Sequence, residues 1–132
     1  MSSDARHPAR ISTAMVMANG LATVYRRWGS GRTVLLLGAS EAVALALGDW
    51  FRVIVPELPL GLSGLGAARW LGGVCEGLGI AEAAIVATPA SRDATSQFAQ
   101  EAPDRVRGVI IIPDSPAPDA AVLRAALERI FS

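Results

Sequence analysis

Apolar residues in this chain come in short uninterrupted runs, separated by longer stretches with helical spacing. Thr33-Val-Leu-Leu-Leu37, the segment 83–87 and Arg107-Gly-Val-Ile-Ile-Ile112 are nearly continuous hydrophobic runs, the pattern of strands buried on both faces. Phe51-Arg-Val-Ile-Val55 reads the same way and is closed by Pro56, which cannot donate to a strand ladder. Three predicted helices lie between these runs and a fourth follows the last. The first covers 41–47 and stops at Gly48. The second covers 67–77, with Leu78-Gly79 suited to a left-handed cap. The third covers 91–101 and ends before Pro103, and the fourth covers 119–131. In the last helix Leu123, Leu127 and Ile130 share one face, with Arg124 and Glu128 opposite.

Ahead of this alternation, Thr13-Ala-Met-Val-Met-Ala and Leu21-Ala-Thr-Val-Tyr-Arg-Arg-Trp28 flank Asn19-Gly20, a dipeptide that tolerates the positive φ angles of a tight hairpin turn. Residues 1–12 form a polar tail, expected to be flexible, and 13–132 form one domain. Strands alternating with helices predict parallel pairing through crossovers. The predicted class is therefore α/β: a mostly parallel sheet with an N-terminal antiparallel hairpin and helices on both faces. No internal repeat is visible.

Composition narrows this picture. At 132 residues one core must hold the whole fold, since a chain of this size buries only about two thirds of its unfolded surface. Hydrophobic residues make up 52% and aromatics only 5%, so the core is built from Ala, Val, Leu and Ile. Twelve basic residues, all arginine, balance twelve acidic ones. No net field attracts nucleic acid or an anionic membrane. The polar start of the chain does not match a secretory signal, and no apolar run reaches membrane-spanning length, so a cytoplasmic protein is expected. Cys75 is the single cysteine, set among Leu71, Val74 and Leu78, and reads as a buried core thiol. One His and one Cys cannot make a conventional zinc cluster. The Gly/Leu-rich stretch 58–66 lacks the Lys-Ser/Thr of a phosphate loop, so no metal and no cofactor is expected.

Five phrases, taken in order, carry a resemblance: Asn19-Gly20-Leu21 with Tyr25-Arg-Arg-Trp-Gly29, Val34-Leu-Leu-Leu-Gly38, Phe51-Arg-Val-Ile-Val-Pro-Glu-Leu-Pro59, Leu78-Gly-Ile-Ala-Glu82, and Ala102-Pro-Asp-Arg-Val-Arg-Gly108. Their wording and spacing over roughly residues 15–115 resemble the N-terminal half of the α/β-hydrolase family, the group of esterases, epoxide hydrolases and haloperoxidase-like enzymes. The resemblance implies a shortened α/β-hydrolase-like fold.

In that family a Gly-x-Ser-x-Gly elbow after the fifth strand holds the nucleophile in a strained turn. Ungapped counting puts Ala87-Thr88-Pro89-Ala90-Ser91 on that elbow and Pro89 at the nucleophile position. Proline has no nucleophilic side-chain atom, and its ring fixes φ near about −65°, whereas the family's nucleophile sits at positive φ. The resemblance places the oxyanion position at Gly38, Ala39 and Ala90. An oxyanion donor without a nucleophile transfers no acyl group. The family's last two strands, whose loops supply the acid and the histidine, have no counterpart here, nor has its cap domain. The lone histidine, His7, lies in the leading tail.

Ser40, Ser91 and Asp114 are the remaining catalytic candidates. As strand-end hydroxyls, Ser40 and Ser91 also suit helix caps, and Asp114 suits an ordinary loop. Arg92 and Asp93 fit a solvated helix start. The expected function is a non-catalytic binding or partner subunit, with a small apolar ligand admitted. The alternative is a small unorthodox hydrolase of an apolar ester, its site completed by a dimer mate or second polypeptide. A homo-oligomer or complementing partner is expected on two grounds: residues 109–112 make an exposed apolar sheet edge, and the sheet face served by the short helix 41–47 is left bare.

Overall fold

The computed structural model describes residues 11–38, 41–59, 61–62, 64–113, 116 and 118–132. A hairpin of β1 (Ser12–Ala18) and β2 (Leu21–Trp28) leads into β3 (Thr33–Leu37), α1 (Glu41–Leu47), β4 (Arg52–Pro56) and α2 (Gly64–Leu78). Then follow β5 (Ala83–Ala87), a 3-10 turn (Pro89–Ser91), α3 (Arg92–Glu101), β6 (Val106–Ile111) and α4 (Ala120–Phe131). The hairpin turns on Asn19 and Gly20, with φ of 52° and 83°, the mirror-image turn whose twist suits two antiparallel strands. Ser12 is already in β1, so the expected tail boundary falls inside the strand; residues 1–10 lie outside the described part.

The described strands form one six-stranded sheet in the order β1-β2-β4-β3-β5-β6. β1 with β2 and β2 with β4 are antiparallel, while β4, β3, β5 and β6 run parallel. Strand alternation splits the apolar runs between two cores. Leu35, Leu37, Ile54 and Ile85 face α2 and α3, where they pack with Trp70, Leu71, Val74 and Phe98. Val34, Leu36, Val53 and Val86 face the opposite side with Val43, Leu47 and Phe51.

Two expectations are corrected here. The face over α1 is not bare: α4 lies on it, with Leu123, Leu127 and Phe131 in the same core as Val43 and Leu47. Phe131 stacks at 5.9 Å from Phe51, and the Arg124 guanidinium sits 4.5 Å from the centre of the Trp50 ring. The amphipathic stripe of α4 is satisfied by this face, which removes one of the two grounds for an oligomer. The second correction concerns α2, which starts at Gly64 rather than 67. Burial of Ala67, Ala68, Trp70 and Leu71 outweighs the poor helix propensity of Gly64 and Gly66. β6, as expected, is a sheet edge, with Val109 37% exposed.

Candidate functional site

In an open α/β sheet, a crevice forms outside the carboxyl ends of the strands where consecutive connections leave in opposite directions. β3 connects to β4 on one side and β5 connects to β6 on the other, so that point lies between the ends of β3 and β5. A cleft of about 580 Å³ opens there. Leu37 and Gly38 end β3, Val55 and Pro56 end β4, Thr88 follows β5, and Trp70 and Leu71 of α2 supply an apolar wall. Arg26, Glu57 and Ser91 complete its polar lining.

The chain is close-fitting at the cleft floor. Gly38 has φ of 85°, and a Cβ placed on it would lie 2.6 Å from Thr88 Oγ1. The Thr88 amide donates to the Leu37 carbonyl at 3.1 Å, tying the two strand ends together. Thr88 and Ser91 are only 5% and 8% exposed, and neither hydroxyl has a hydrogen-bond partner among the described residues. Arg26, paired in register with Val55, reaches Glu41 at 3.6 Å, with both side chains partly exposed.

Pro89 opens the 3-10 turn between β5 and α3. Asn19 is the residue other than glycine with positive φ among the described ones, so this turn is right-handed throughout. Ala90 is exposed and borders the cleft, as does Gly38. Ser91 stands at the N-cap of α3 but makes no side-chain cap bond, which corrects its reading as a cap. The 3-10 turn already engages these amides: Ser91 N–H donates to the Thr88 carbonyl at 2.9 Å, and Arg92 N–H donates to the Pro89 carbonyl. Arg92 and Asp93 are exposed. Ala39, Ser40, Asp114 and His7 lie outside the described residues.

Arg26, Thr88 and Trp70 were not singled out from sequence as cleft residues. Arg26 comes to the site only through the β2–β4 register, and Trp70 only through the crossing of α2. Thr88 carried a local signal, as the first hydroxyl after a buried strand. Away from the cleft, Cys75 is a buried free thiol. Burial pushes its pKa up, against the pull of the nearby Arg105 guanidinium. No described helix is long and apolar enough to cross a membrane.

Solved structures of similar fold supply the comparisons. The naproxen esterase of Bacillus subtilis matches with TM-score 0.67 and 22% identity over 91% of this chain and 50% of its own. A mutant epoxide hydrolase of Vigna radiata matches with TM-score 0.68 and 22% identity over 88% of this chain and 44% of its own. The 2-hydroxy-6-oxo-6-phenylhexa-2,4-dienoate hydrolase of Rhodococcus sp. strain RHA1 matches with TM-score 0.68 and 22% identity over 78% and 46%. The chain thus spans half or less of the length of these proteins. No protein-family model matches it, and no curated protein matches it by sequence.

Proposed function

We propose that this chain, which has a shortened α/β-hydrolase-like fold, binds a small apolar ligand in the cleft between β3 and β5 and transfers no acyl group itself. The observation that carries this reading is the β5–α3 turn. Pro89, which the sequence resemblance puts at the elbow position, opens a right-handed 3-10 turn beside the cleft. A hydroxyl becomes a nucleophile only with a base to activate it, and no imidazole lines the cleft among the described residues. The apolar walls and few polar groups are those of a ligand pocket.

The outer edge of β6 carries no strand among the described residues and leaves Val109 exposed, which supports a partner strand along that edge, from a second copy or a complementing polypeptide. Light scattering during size exclusion reads this directly: a species at the mass of one chain removes the second-copy form. The reading includes a cytoplasmic location, in keeping with a sequence whose single cysteine, Cys75, is buried and has no second cysteine to pair with.

Turnover of 4-nitrophenyl butyrate tests the central claim. The expected rate equals that of heat-denatured protein. A rate abolished by Ser91→Ala would replace this reading with the hydrolytic one, in which Ser91 attacks and a second chain supplies the base.

A further inference from the structure

Thr88 and Ser91 are each more than nine-tenths buried as residues and border one cleft, and their hydroxyls bond to no described residue. The enclosed, unpaired side-chain oxygen among the described residues is that of Thr95, so the Thr88 and Ser91 oxygens keep some solvent contact and are free to bond to water or to what enters the cleft. Thr88 precedes the 3-10 turn and Ser91 closes it, and Gly38 leaves room for the Thr88 oxygen. Leu37, Leu71, Trp70 and Ala94 supply apolar lining to the same cleft.

The charges near the cleft do not favour an ion. Arg26 is already matched by Glu41 at 3.6 Å, and Glu57 adds a further carboxylate at the cleft. An anion would meet Glu57 without a free guanidinium to offset it. A cation would meet two hydroxyls that offer it only neutral oxygen while Arg26 stands nearby. A hydroxyl both donates and accepts, so the pair suits an uncharged oxygen head such as an alcohol or a carbonyl.

We propose that Thr88 and Ser91 form a polar anchor that selects an uncharged, mainly apolar ligand bearing one oxygen head group. This rests on the binding reading above and deepens it by naming the ligand class. The head group meets the two hydroxyls at the floor, and the apolar body lies against Leu71 and Trp70. Because neither anchor nor ligand titrates near neutrality, affinity is flat between about pH 6 and 8.

Four probes with one body separate the possibilities: 4-phenylbutan-1-ol, 4-phenylbutanoate, 4-phenylbutan-1-amine and butylbenzene, each titrated by calorimetry or saturation-transfer NMR. The alcohol is expected to bind about tenfold more tightly than either ion or the hydrocarbon, consistent with one well-placed hydrogen-bond group. Thr88→Val, which keeps the shape over Gly38, and Ser91→Ala each remove most of the alcohol's advantage over butylbenzene and leave butylbenzene binding unchanged. Equal affinity for alcohol and butylbenzene overturns the anchor, and tighter binding of phenylbutanoate overturns the selection of an uncharged head. Either result leaves the cleft as a binding site. Failure of all four probes to bind overturns the binding reading itself.

Discussion

The indole Nε1 of Trp70 donates a hydrogen bond to Thr23 Oγ1 at 2.8 Å, with both residues buried between α2 and the hairpin. This bond places the Trp70 ring on the cleft wall and ties the helix that forms the wall to the antiparallel end of the sheet.

Thr23→Val removes the acceptor and leaves a buried indole N–H unpaired. The expected loss is about 1–3 kcal/mol, the range for an unsatisfied buried donor. Urea unfolding reads it as a lower midpoint at unchanged slope.

Thr95 presents the reverse case. Its hydroxyl is buried, with no hydrogen-bond partner among the described residues. Thr95→Val keeps the branched shape and removes the stranded polar atom, so stability is expected to hold or to rise by up to about 1 kcal/mol. A fall of that size in thermal or urea unfolding means that the hydroxyl is engaged in solution.

Leu127 is fully buried in the core that α4 shares with α1. Leu127→Ala is expected to cost about 2–5 kcal/mol, as for a large-to-small change in a packed core. If α4 lay loosely on the surface, chemical unfolding would instead show a loss of less than about 1 kcal/mol.

The same helix shows where sequence reading stopped. Leu123 and Leu127 were legible as a stripe because their spacing is local, and the buried runs of β3 and β5 were legible because they are apolar on both sides. Which face the stripe would choose was not legible. That depended on the empty area beside α1, on Phe51 meeting Phe131 and on Trp50 meeting Arg124, all contacts between distant segments. The cleft divides in the same way. Gly38, Pro89 and Ser91 could be placed by counting from strand ends. Arg26 entered through a register that no local pattern encodes, and the loss of the Ser91 cap followed from a 3-10 turn that Pro89 begins one residue pair earlier.

Cys75 is held in the α2 core, where burial raises its pKa above the ordinary value of 9.0. The folded state therefore keeps the proton more tightly than the unfolded chain. That contribution is full below the ordinary value and is lost as pH rises through the folded value, so stability should decline at alkaline pH, and Cys75→Ser should flatten this decline. In the native protein at about pH 8, reaction with a disulfide reagent is expected to be about 100-fold slower than in urea, because a buried thiol is inert. Comparable rates would place the thiol at the surface.

Pro89→Ser puts a hydroxyl at the position that the sequence resemblance assigns to the elbow, and is still expected to yield no esterase activity. The substituted residue inherits a right-handed 3-10 turn, so the new oxygen is not held in the strained, positive-φ geometry that projects a nucleophile. No imidazole lines the cleft among the described residues, and the chain's one histidine is His7, outside them. Losing the base of a nucleophile–base pair costs nearly as much rate as losing the nucleophile, so one restored member does not restore the pair. The variant should nevertheless fold: proline at the first turn position stabilises mainly by restricting the unfolded chain, and its loss costs about 0.4–1 kcal/mol. A folded Pro89→Ser protein that hydrolyses 4-nitrophenyl butyrate above the unaltered chain would show that a base does reach the turn. Its dependence on protein concentration would then assign that base to a second chain, and a first-order response would assign it to the same one.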